Sequence, residues 1–259
     1  MAQIIPLKTS CGDMDCIVLG NGKRAYMMLP GITTAPLTGS ADAIEAAYKA
    51  LTDDYTIYLF DRPKKLKYGV TAEDMANAAI EGAEKLGLKD IYLSGASQGG
   101  MMAQYAALTR PELIKCAVFV SSPLRHTPLG DKVLGGWAEM ALKKDKAALA
   151  KSIAQNVYGD FSEDTCNMIL SNISDDFLPQ IAAQGHACTV FDISDKTKNI
   201  KCPSLVIGTK NDMVFGYEGI AELAKILNCE MYTYEKYDHA LYDQTEDFKT
   251  KLKDFFDKH

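Results

Sequence analysis

A serine flanked by glycines is the part of this sequence that most directly suggests chemistry. The segment Gly95-Ala96-Ser97-Gln98-Gly99 lies between an apolar run at 91–93 and an amphipathic stretch at 98–110. Glycines two residues before and after a serine let a strand and a helix approach closely at a strained turn. The helix would point its first N–H groups toward Ser97, where negative charge develops. We interpret Ser97 as a nucleophile, with a capping serine in a glycine-rich turn as the alternative.

Ser97 needs a base, because a serine hydroxyl is a poor nucleophile near neutral pH. The histidines of the chain are His126, His186, His239 and His259. His126 and His186 lie in or beside a helical stretch, whereas His239 follows the last apolar run and precedes the last helix. That position is the carboxyl edge of a parallel sheet, where such sheets present functional groups. We interpret His239 as the base, with a surface histidine as the alternative.

An acid that orients the base is expected at another strand end. Asp212 comes shortly after the apolar run at 205–207. An Asx turn is the alternative role for an aspartate at this position. The segment after the run at 117–120 contains no carboxylate, and Asp238 adjoins His239 too closely to orient its ring well. Asp212 is therefore the predicted acid.

Short apolar runs alternate with amphipathic stretches over most of the chain, which predicts strands and helices in turn. Because the strands are apolar throughout, we expect an α/β fold with a mostly parallel sheet and helices on both faces. Asn21-Gly22 predicts a turn between the second and third strands. Helix-like segments without a convincing strand fill residues 123–199. We expect a core domain of residues 1–122 and 200–259, and an inserted helical lid at 123–199.

The order of these segments resembles that of the α/β-hydrolase superfamily over nearly the full length of the chain. Residues 95–99 resemble its nucleophile elbow, residues 208–212 its acid loop and Asp238-His239 its base loop, in the family's order of Ser, Asp and His. The helical insertion lies where the family places its cap. Ser97-Gln98-Gly99-Gly100 resembles the capped serine esterases and enol-lactonases of that family.

The resemblance also implies an oxyanion hole built from two backbone N–H groups. One would come from Gln98, directly after the nucleophile, and the other from the loop that follows the third strand. Where the family usually has His-Gly, this chain has Pro30-Gly31-Ile32. Proline has no N–H, so Ile32 occupies the position of the family's donor, with Gly31 second. An ordinary turn at the end of a strand is the alternative.

Trp137, Met140 and Tyr158 of the predicted cap, together with Gly31, are expected to contact the substrate. Aromatic and methionine side chains can line an acyl pocket, although they can equally pack the core of the cap itself. The charged run at 61–67 is interpreted as a solvated loop at the rim of the site.

The composition narrows the choice of partners and compartment. The 259 residues include 28 Lys and Arg against 34 Asp and Glu, a net charge of −6 that argues against nucleic acid and anionic membranes. No apolar stretch approaches a membrane span. The seven cysteines are scattered, odd in number and without metal-ligand spacing, and the first residues lack a signal-peptide pattern, which together favour a reducing compartment. We expect a cytoplasmic protein without cofactor or metal, and the sequence leaves open whether it forms a homodimer.

The sequence therefore predicts a serine hydrolase that cleaves small to medium carboxylic esters through an acyl-enzyme, with a small molecule as substrate. Two alternatives stay open. The same triad can hydrolyse carbon–carbon bonds or transfer an acyl group to an acceptor other than water. The fold can also serve as a ligand receptor with vestigial hydrolysis.

Overall fold

The computed structural model describes residues 2–259, which form alternating strands and helices. The strands in this range are β1 (Gln3–Thr9), β2 (Gly12–Leu19), β3 (Arg24–Leu29), β4 (Tyr55–Phe60), β5 (Ile91–Ala96), β6 (Ile114–Val120), β7 (Ser204–Thr209) and β8 (Glu230–Tyr234). The α-helices are α1 (Ala41–Ala47), α2 (Ala72–Lys85), α3 (Gln98–Thr109), α4 (Pro128–Leu142), α5 (Lys146–Tyr158), α6 (Glu163–Asn172), α7 (Leu178–Thr189), α8 (Tyr217–Leu227), α9 (Leu241–Gln244) and α10 (Asp247–Asp257). Short 3₁₀ turns occupy Leu37–Ser40, Asp175–Phe177 and Thr197–Asn199.

The strands form one sheet in the order β1-β2-β4-β3-β5-β6-β7-β8. From β4 to β8 all neighbours are parallel, whereas β2 runs antiparallel to both β1 and β4. Successive side chains of a strand point to opposite faces, so each strand feeds two cores. On β3, Met27 packs with the core that includes α2 and α3, and Met28 packs with the core that includes Phe256 of α10. The predicted mostly parallel α/β fold is confirmed.

The connection between β2 and β3 differs from a hairpin. The Asn21-Gly22 pair predicts a turn here, but β4 lies between the two strands in the sheet. The N–H of Asn21 instead bonds the carbonyl of Thr52, and the N–H of Arg24 bonds the carbonyl of Asp54, just before β4. The local turn signal was therefore insufficient, because strand adjacency is decided by packing across the whole sheet.

A helical insert, α4–α7, separates β6 from β7, as the loss of strand patterning predicts. Its helices begin at good caps: the Thr127 side chain accepts the N–H of Gly130, Asp145 accepts that of Ala148 and Ser162 accepts that of Thr165. Helix α4 packs along α7, and α5 packs along α6. The insert therefore consists of two helix pairs.

Parallel strands bring their carboxyl ends to one edge of the sheet, where open α/β sheets bind ligands. The segments that follow β3, β5, β7 and β8 contain the residues 30–32, Ser97, Asp212 and His239. The fold thus gathers at one edge residues that are more than two hundred positions apart in the chain.

Candidate active site

Ser97 occupies a strained turn between β5 and α3. Its φ of 54° and ψ of −122° lie in a region that residues with a side chain rarely adopt. The N–H of Ser97 bonds the carbonyl of Val120 at 2.8 Å, which anchors the turn to β6. The side chain is largely buried, with 6% exposed, and it lines a cavity. The turn therefore projects this hydroxyl from the sheet edge at the N-terminus of a helix.

The glycines on either side of Ser97 are required by close backbone contacts. A Cβ at Gly95 would overlap the carbonyl of Gly99, and a Cβ at Gly99 would overlap the carbonyl of Leu29. These overlaps involve backbone atoms, which cannot move away as a flexible side chain can. The spacing of glycines in the motif is thus explained by the approach of α3 to β5 and β3.

His239 and Asp212 form a buried pair beside the turn. Nδ1 of His239 lies 2.7 Å from Oδ2 of Asp212, and the two side chains are 3% and 0% exposed. The hydroxyl of Ser121 donates to the backbone carbonyl of His239 at 2.9 Å, which fixes the loop that carries the imidazole. With Nδ1 donating to the carboxylate, Nε2 remains free to accept a proton.

The environment of Asp212 favours its ionised form. Burial alone would raise the pKa of this carboxyl, but the charge and hydrogen bond of His239 act in the opposite direction. The N–H groups of Val214 and Phe215 also donate to Oδ1, at 3.0 and 2.8 Å. Together these groups hold the pKa of Asp212 below its usual range. The acid loop thus delivers a carboxylate that keeps its charge at neutral pH.

Asp238, the sequence neighbour of His239, is directed elsewhere. Its carboxylate accepts a hydrogen bond from the side chain of Gln244 at 3.1 Å, and its N–H donates to the same side chain at 2.8 Å. The carboxylate that contacts the imidazole is that of Asp212.

Near Ser97, the backbone N–H groups of Gly31, Ile32 and Gln98 have no acceptor within residues 2–259. The N–H of Thr33, in contrast, donates to Oε1 of Gln184 at 3.1 Å. Gly31 and Ile32 line the same cavity as Ser97, and a Cβ at Gly31 would lie 3.3 Å from the Cβ of Ser97. The loop after β3 therefore passes directly beside the serine and presents an unpaired donor.

The cavity that contains Ser97 and His239 has a volume of about 510 Å³. The loop after β3 and the region of α1 form one side of it, and α4, α5 and α6 of the helical insert contribute Trp137, Ile153 and Met168. Enclosed clefts of this size and mixed polarity are typical of small-molecule sites.

The sequence profile of the α/β-hydrolase fold matches residues 28–245. The chain belongs to this family. The match extends from β3 to the short helix α9, so it includes the loop after β3, Ser97, Asp212, His239 and the helical insert.

Known α/β-hydrolase-fold proteins resemble this chain at low identity but over most of its length. RutD of Rhizobium rhizogenes (strain K84), named as a candidate carbamate hydrolase, is 24% identical over 213 residues, which are 76% of this chain and 80% of RutD. The enol-lactonase of Burkholderia xenovorans LB400 superposes with a TM-score of 0.83 at 16% identity, covering 97% of this chain and 99% of the enol-lactonase. The esterase EaEST of Exiguobacterium antarcticum superposes with a TM-score of 0.80 at 18% identity, covering 98% and 99%.

Within this α/β-hydrolase fold, the residues expected to contact a substrate separate into two groups. Gly31, Trp137 and Tyr158 line the cavity. Met140 is not among the lining residues in the described chain and packs against the hydrophobic core. The indole N–H of Trp137 donates to the hydroxyl of Ser152 at 2.9 Å, so this ring is held in place between α4 and α5.

Arg62 corrects the interpretation of the charged run at 61–67 as a solvated loop. Asp61 and Arg62 are buried, although the lysines at 64, 65 and 67 are exposed. The guanidinium donates to the carbonyls of Pro30 and Gly31 at 2.6 and 3.1 Å, and to Oε1 of Gln98 at 3.0 Å. Arg62 therefore ties the loop after β3 to the first residue of α3.

Gln184 of α7 completes this buried polar network. Its side chain exchanges two hydrogen bonds with the backbone of Thr33. Its backbone carbonyl accepts a hydrogen bond from the side-chain amide of Gln98 at 2.6 Å. Burial lowers the pKa of Arg62 to about 10, which leaves the guanidinium charged at neutral pH. The loop that carries Ile32 is thus held by groups from the segment after β4, from α3 and from the helical insert.

Sequence reasoning missed Arg62, Gln184, Tyr242 and Asp243. Arg62 follows β4 at the same sheet edge as Ser97, a position that could have marked it. Tyr242 and Asp243 come three and four residues after His239 and line the cavity. No comparable signal existed for Gln184, because its role depends on how α7 packs. Within residues 2–259, no group of three or more His, Cys, Asp or Glu side chains could hold a metal ion, and no helix is long and apolar enough to span a membrane.

Proposed function

We propose that this α/β-hydrolase is a serine carboxylesterase that cleaves small to medium acyl esters through an acyl-enzyme. The observation that carries the proposal is the convergence on one cavity of Ser97, in a strained turn, and His239, paired with Asp212. A serine at such a turn, a buried imidazole and a buried carboxylate supply a nucleophile, a base and an orienting group.

In the first half of the reaction, Ser97 attacks the acyl carbonyl and transfers its proton to Nε2 of His239. The resulting imidazolium carries a charge beside the Asp212 carboxylate, which stabilises it through the 2.7 Å hydrogen bond. His239 then protonates the departing alcohol, and the acyl group remains on Ser97. The low pKa of Asp212 serves this step, since the carboxylate must be ionised when the imidazolium forms.

The negative charge on the carbonyl oxygen would be received by the N–H groups of Ile32 and Gln98. Donors fixed in advance at a developing oxyanion stabilise the transition state by about 2.7–4 kcal/mol each. Arg62 and Gln184 keep these donors in position through their bonds to residues 30–33 and to Gln98. In the second half of the reaction, His239 activates a water molecule that releases the acid.

The helical insert acts as the cap of this site in our proposal, with residues 123–199 as the lid and the rest of the chain as the core domain. Trp137, Ile153 and Met168 of the insert line the cavity, so an ester bound at Ser97 would contact them. A cavity of about 510 Å³ suits a small to medium ester. The overall similarity to an esterase and an enol-lactonase is consistent with this choice of substrate.

Turnover of p-nitrophenyl esters of increasing acyl length, combined with a fluorophosphonate probe, tests the proposal. The wild type should hydrolyse the shorter esters and label covalently. Ser97→Ala should lose labelling and lower kcat by several orders of magnitude, roughly the loss seen when a triad member is removed. Ser94→Ala is a suitable labelling control, because the Ser94 hydroxyl bonds that of Tyr26 at 2.6 Å.

Labelling that persists in Ser97→Ala would refute the assignment of the nucleophile. A wild type that labels but turns over no ester would refute the carboxylesterase proposal. In that case, carbon–carbon hydrolysis, acyl transfer to another acceptor and ligand reception become the hypotheses to examine.

A further inference from the structure

The catalytic cavity contains a carboxylate that the ester-cleaving reaction does not use. Asp243, on the short helix α9, lines the cavity four residues after His239. Its side chain has no hydrogen-bond or salt-bridge partner within the described residues 2–259, whereas Asp212 accepts three hydrogen bonds. Asp243 is exposed, so its acceptor positions are open to water and to a ligand that enters the cavity.

The charge of Asp243 is not balanced by the cavity wall. Among the described residues that line the cavity there is no lysine or arginine. The cation that acts on it electrostatically is Lys249 of α10, whose Nζ pairs with Glu246 at 2.6 Å and lies 5.5 Å from the centre of the Tyr48 ring. Lys249 is not part of the lining. The cavity wall itself therefore supplies no cation to this carboxylate, whereas a ligand that enters the cavity can.

Three tyrosines line the same cavity as this carboxylate, and its charge contributes to raising their pKa values. Tyr48 at the end of α1, Tyr158 at the end of α5 and Tyr242 also line the cavity, and their hydroxyls have no partner within residues 2–259. A Cβ on Gly31 would lie 3.5 Å from Oη of Tyr242 and 3.3 Å from the Cβ of Ser97. This cluster therefore adjoins the nucleophile, within reach of a substrate whose carbonyl lies at Ser97.

Asp243 keeps contact with solvent, and the surrounding protein desolvates its carboxylate enough to raise its pKa to about 6. Burial also raises the pKa of Tyr158 to about 12, and those of Tyr48 and Tyr242 well above their ordinary value. The three tyrosines stay neutral near neutral pH, so Asp243 is the group of this cluster that changes its charge there.

We propose that Asp243, together with Tyr48, Tyr158 and Tyr242, forms a subsite for an ammonium group on the substrate. The carboxylate would pair with the ammonium, the three tyrosines would offer hydroxyl oxygens, and the rings of Tyr158 and Tyr242 would offer faces that attract cations. The inference rests on the proposed esterase function, and it names the substrate class as amine-bearing esters.

Binding to Ser97→Ala tests the subsite without requiring turnover. The probes are n-hexylammonium and its neutral counterpart n-hexanol, titrated calorimetrically at about pH 8, where Asp243 is ionised. We expect the ammonium to bind about 10- to 100-fold more tightly than the alcohol, the usual effect of a charge-assisted hydrogen bond. The ratio should fall when the pH is lowered to about 5, because Asp243 is then protonated while the amine keeps its charge.

Asp243→Asn in the same Ser97→Ala background should abolish the preference for the ammonium. Asp254→Asn, which removes a carboxylate from an exposed position of α10, should leave the preference unchanged. Melting temperatures measured without ligand show whether each variant is folded.

Equal affinity for the two probes, or a preference that survives Asp243→Asn, would overturn the subsite. The test is separate from that of the esterase. A protein that binds hexylammonium selectively but hydrolyses no ester would retain the subsite and lose the proposed activity. A protein that hydrolyses p-nitrophenyl esters but binds hexylammonium no better than hexanol would retain the proposed activity and lose the subsite.

Discussion

Nδ1 of His239 lies 2.7 Å from Oδ2 of Asp212, although the two residues follow different strands and 27 positions separate them. The adjacent Asp238 has its carboxylate bonded to Gln244 instead. Mutations of the two aspartates should therefore differ in their effect on turnover.

Asp212→Asn should lower kcat by roughly 10³–10⁴-fold, because an amide favours the wrong imidazole tautomer and no longer stabilises the imidazolium. Asp238→Asn should cost far less, since its side chain makes no contact with the ring. Steady-state kinetics on a p-nitrophenyl ester compare the two. Equal losses would contradict the role of Asp212.

The oxyanion donor on the loop after β3 can be tested at Ile32. Ile32→Pro removes the unpaired N–H and should lower kcat by about 10²–10³-fold, the loss for one oxyanion hydrogen bond. Ile32→Ala keeps the N–H and should change kcat little, although KM can shift because the side chain lines the cavity. A folded Ile32→Pro enzyme with normal turnover would place the donor elsewhere, and circular dichroism establishes the fold.

Arg62 acts through the loop that it holds, so its loss should affect stability and turnover together. Arg62→Met leaves the carbonyls of Pro30 and Gly31 without their donor, at a cost of about 1–3 kcal/mol for each buried group left unpaired. The kcat should fall more than KM rises, because the oxyanion donors lose their support while the cavity persists.

Arg110→Met is the matched control for Arg62→Met. Arg110 pairs with Glu84 and Glu112 at the surface, where ion pairs contribute little to stability. Thermal unfolding and kinetics of both variants check the comparison. If Arg62→Met is destabilised but keeps its kcat, Arg62 contributes to stability alone and does not position the oxyanion donors.

Asp243 should make the folded protein less stable as the pH rises. Burial raises its pKa to about 6, so the folded protein holds this proton more tightly than the unfolded chain does. That contribution is present below about pH 4 and is lost as the pH rises through about 6. Asp243→Asn should therefore raise the melting temperature at about pH 8 and leave it nearly unchanged at about pH 4. A lower melting temperature at pH 8 would contradict the unpaired state of the carboxylate.

Local sequence patterns were sufficient to predict the features that depend on neighbouring residues. The turn at Ser97 follows from glycines that permit close approach, and its position between an apolar run and a helix follows from periodicity. The nearness of Asp212 to His239 could be anticipated because both follow parallel strands, whose carboxyl ends share one edge. Their exact contact and its orientation needed the folded chain.

Patterns failed where burial is decided by distant elements. Arg62 looks solvated in a run of lysines, but it is buried and bonded to α3 and to the loop after β3. Asn21-Gly22 looks like a hairpin turn, but β4 inserts between the strands. The proposed role of Asp243 could not be predicted, because it depends on tyrosines at the ends of α1 and α5 that line the same cavity. In each case the deciding contact joins residues far apart in sequence.

The hydrogen bonds between Gln184 and the backbone of Thr33 give the two helix pairs of the insert different freedom to move. Helix α7 cannot move outward without breaking its bonds to the loop that carries the proposed oxyanion donor, and α4 packs along α7. Helix α6 is free of that constraint: it buries little besides Ile169, and its Met168 is exposed while also lining the cavity. We therefore expect α6 to move when esters enter the cavity and acids leave it, while the residues around Ser97 keep their arrangement.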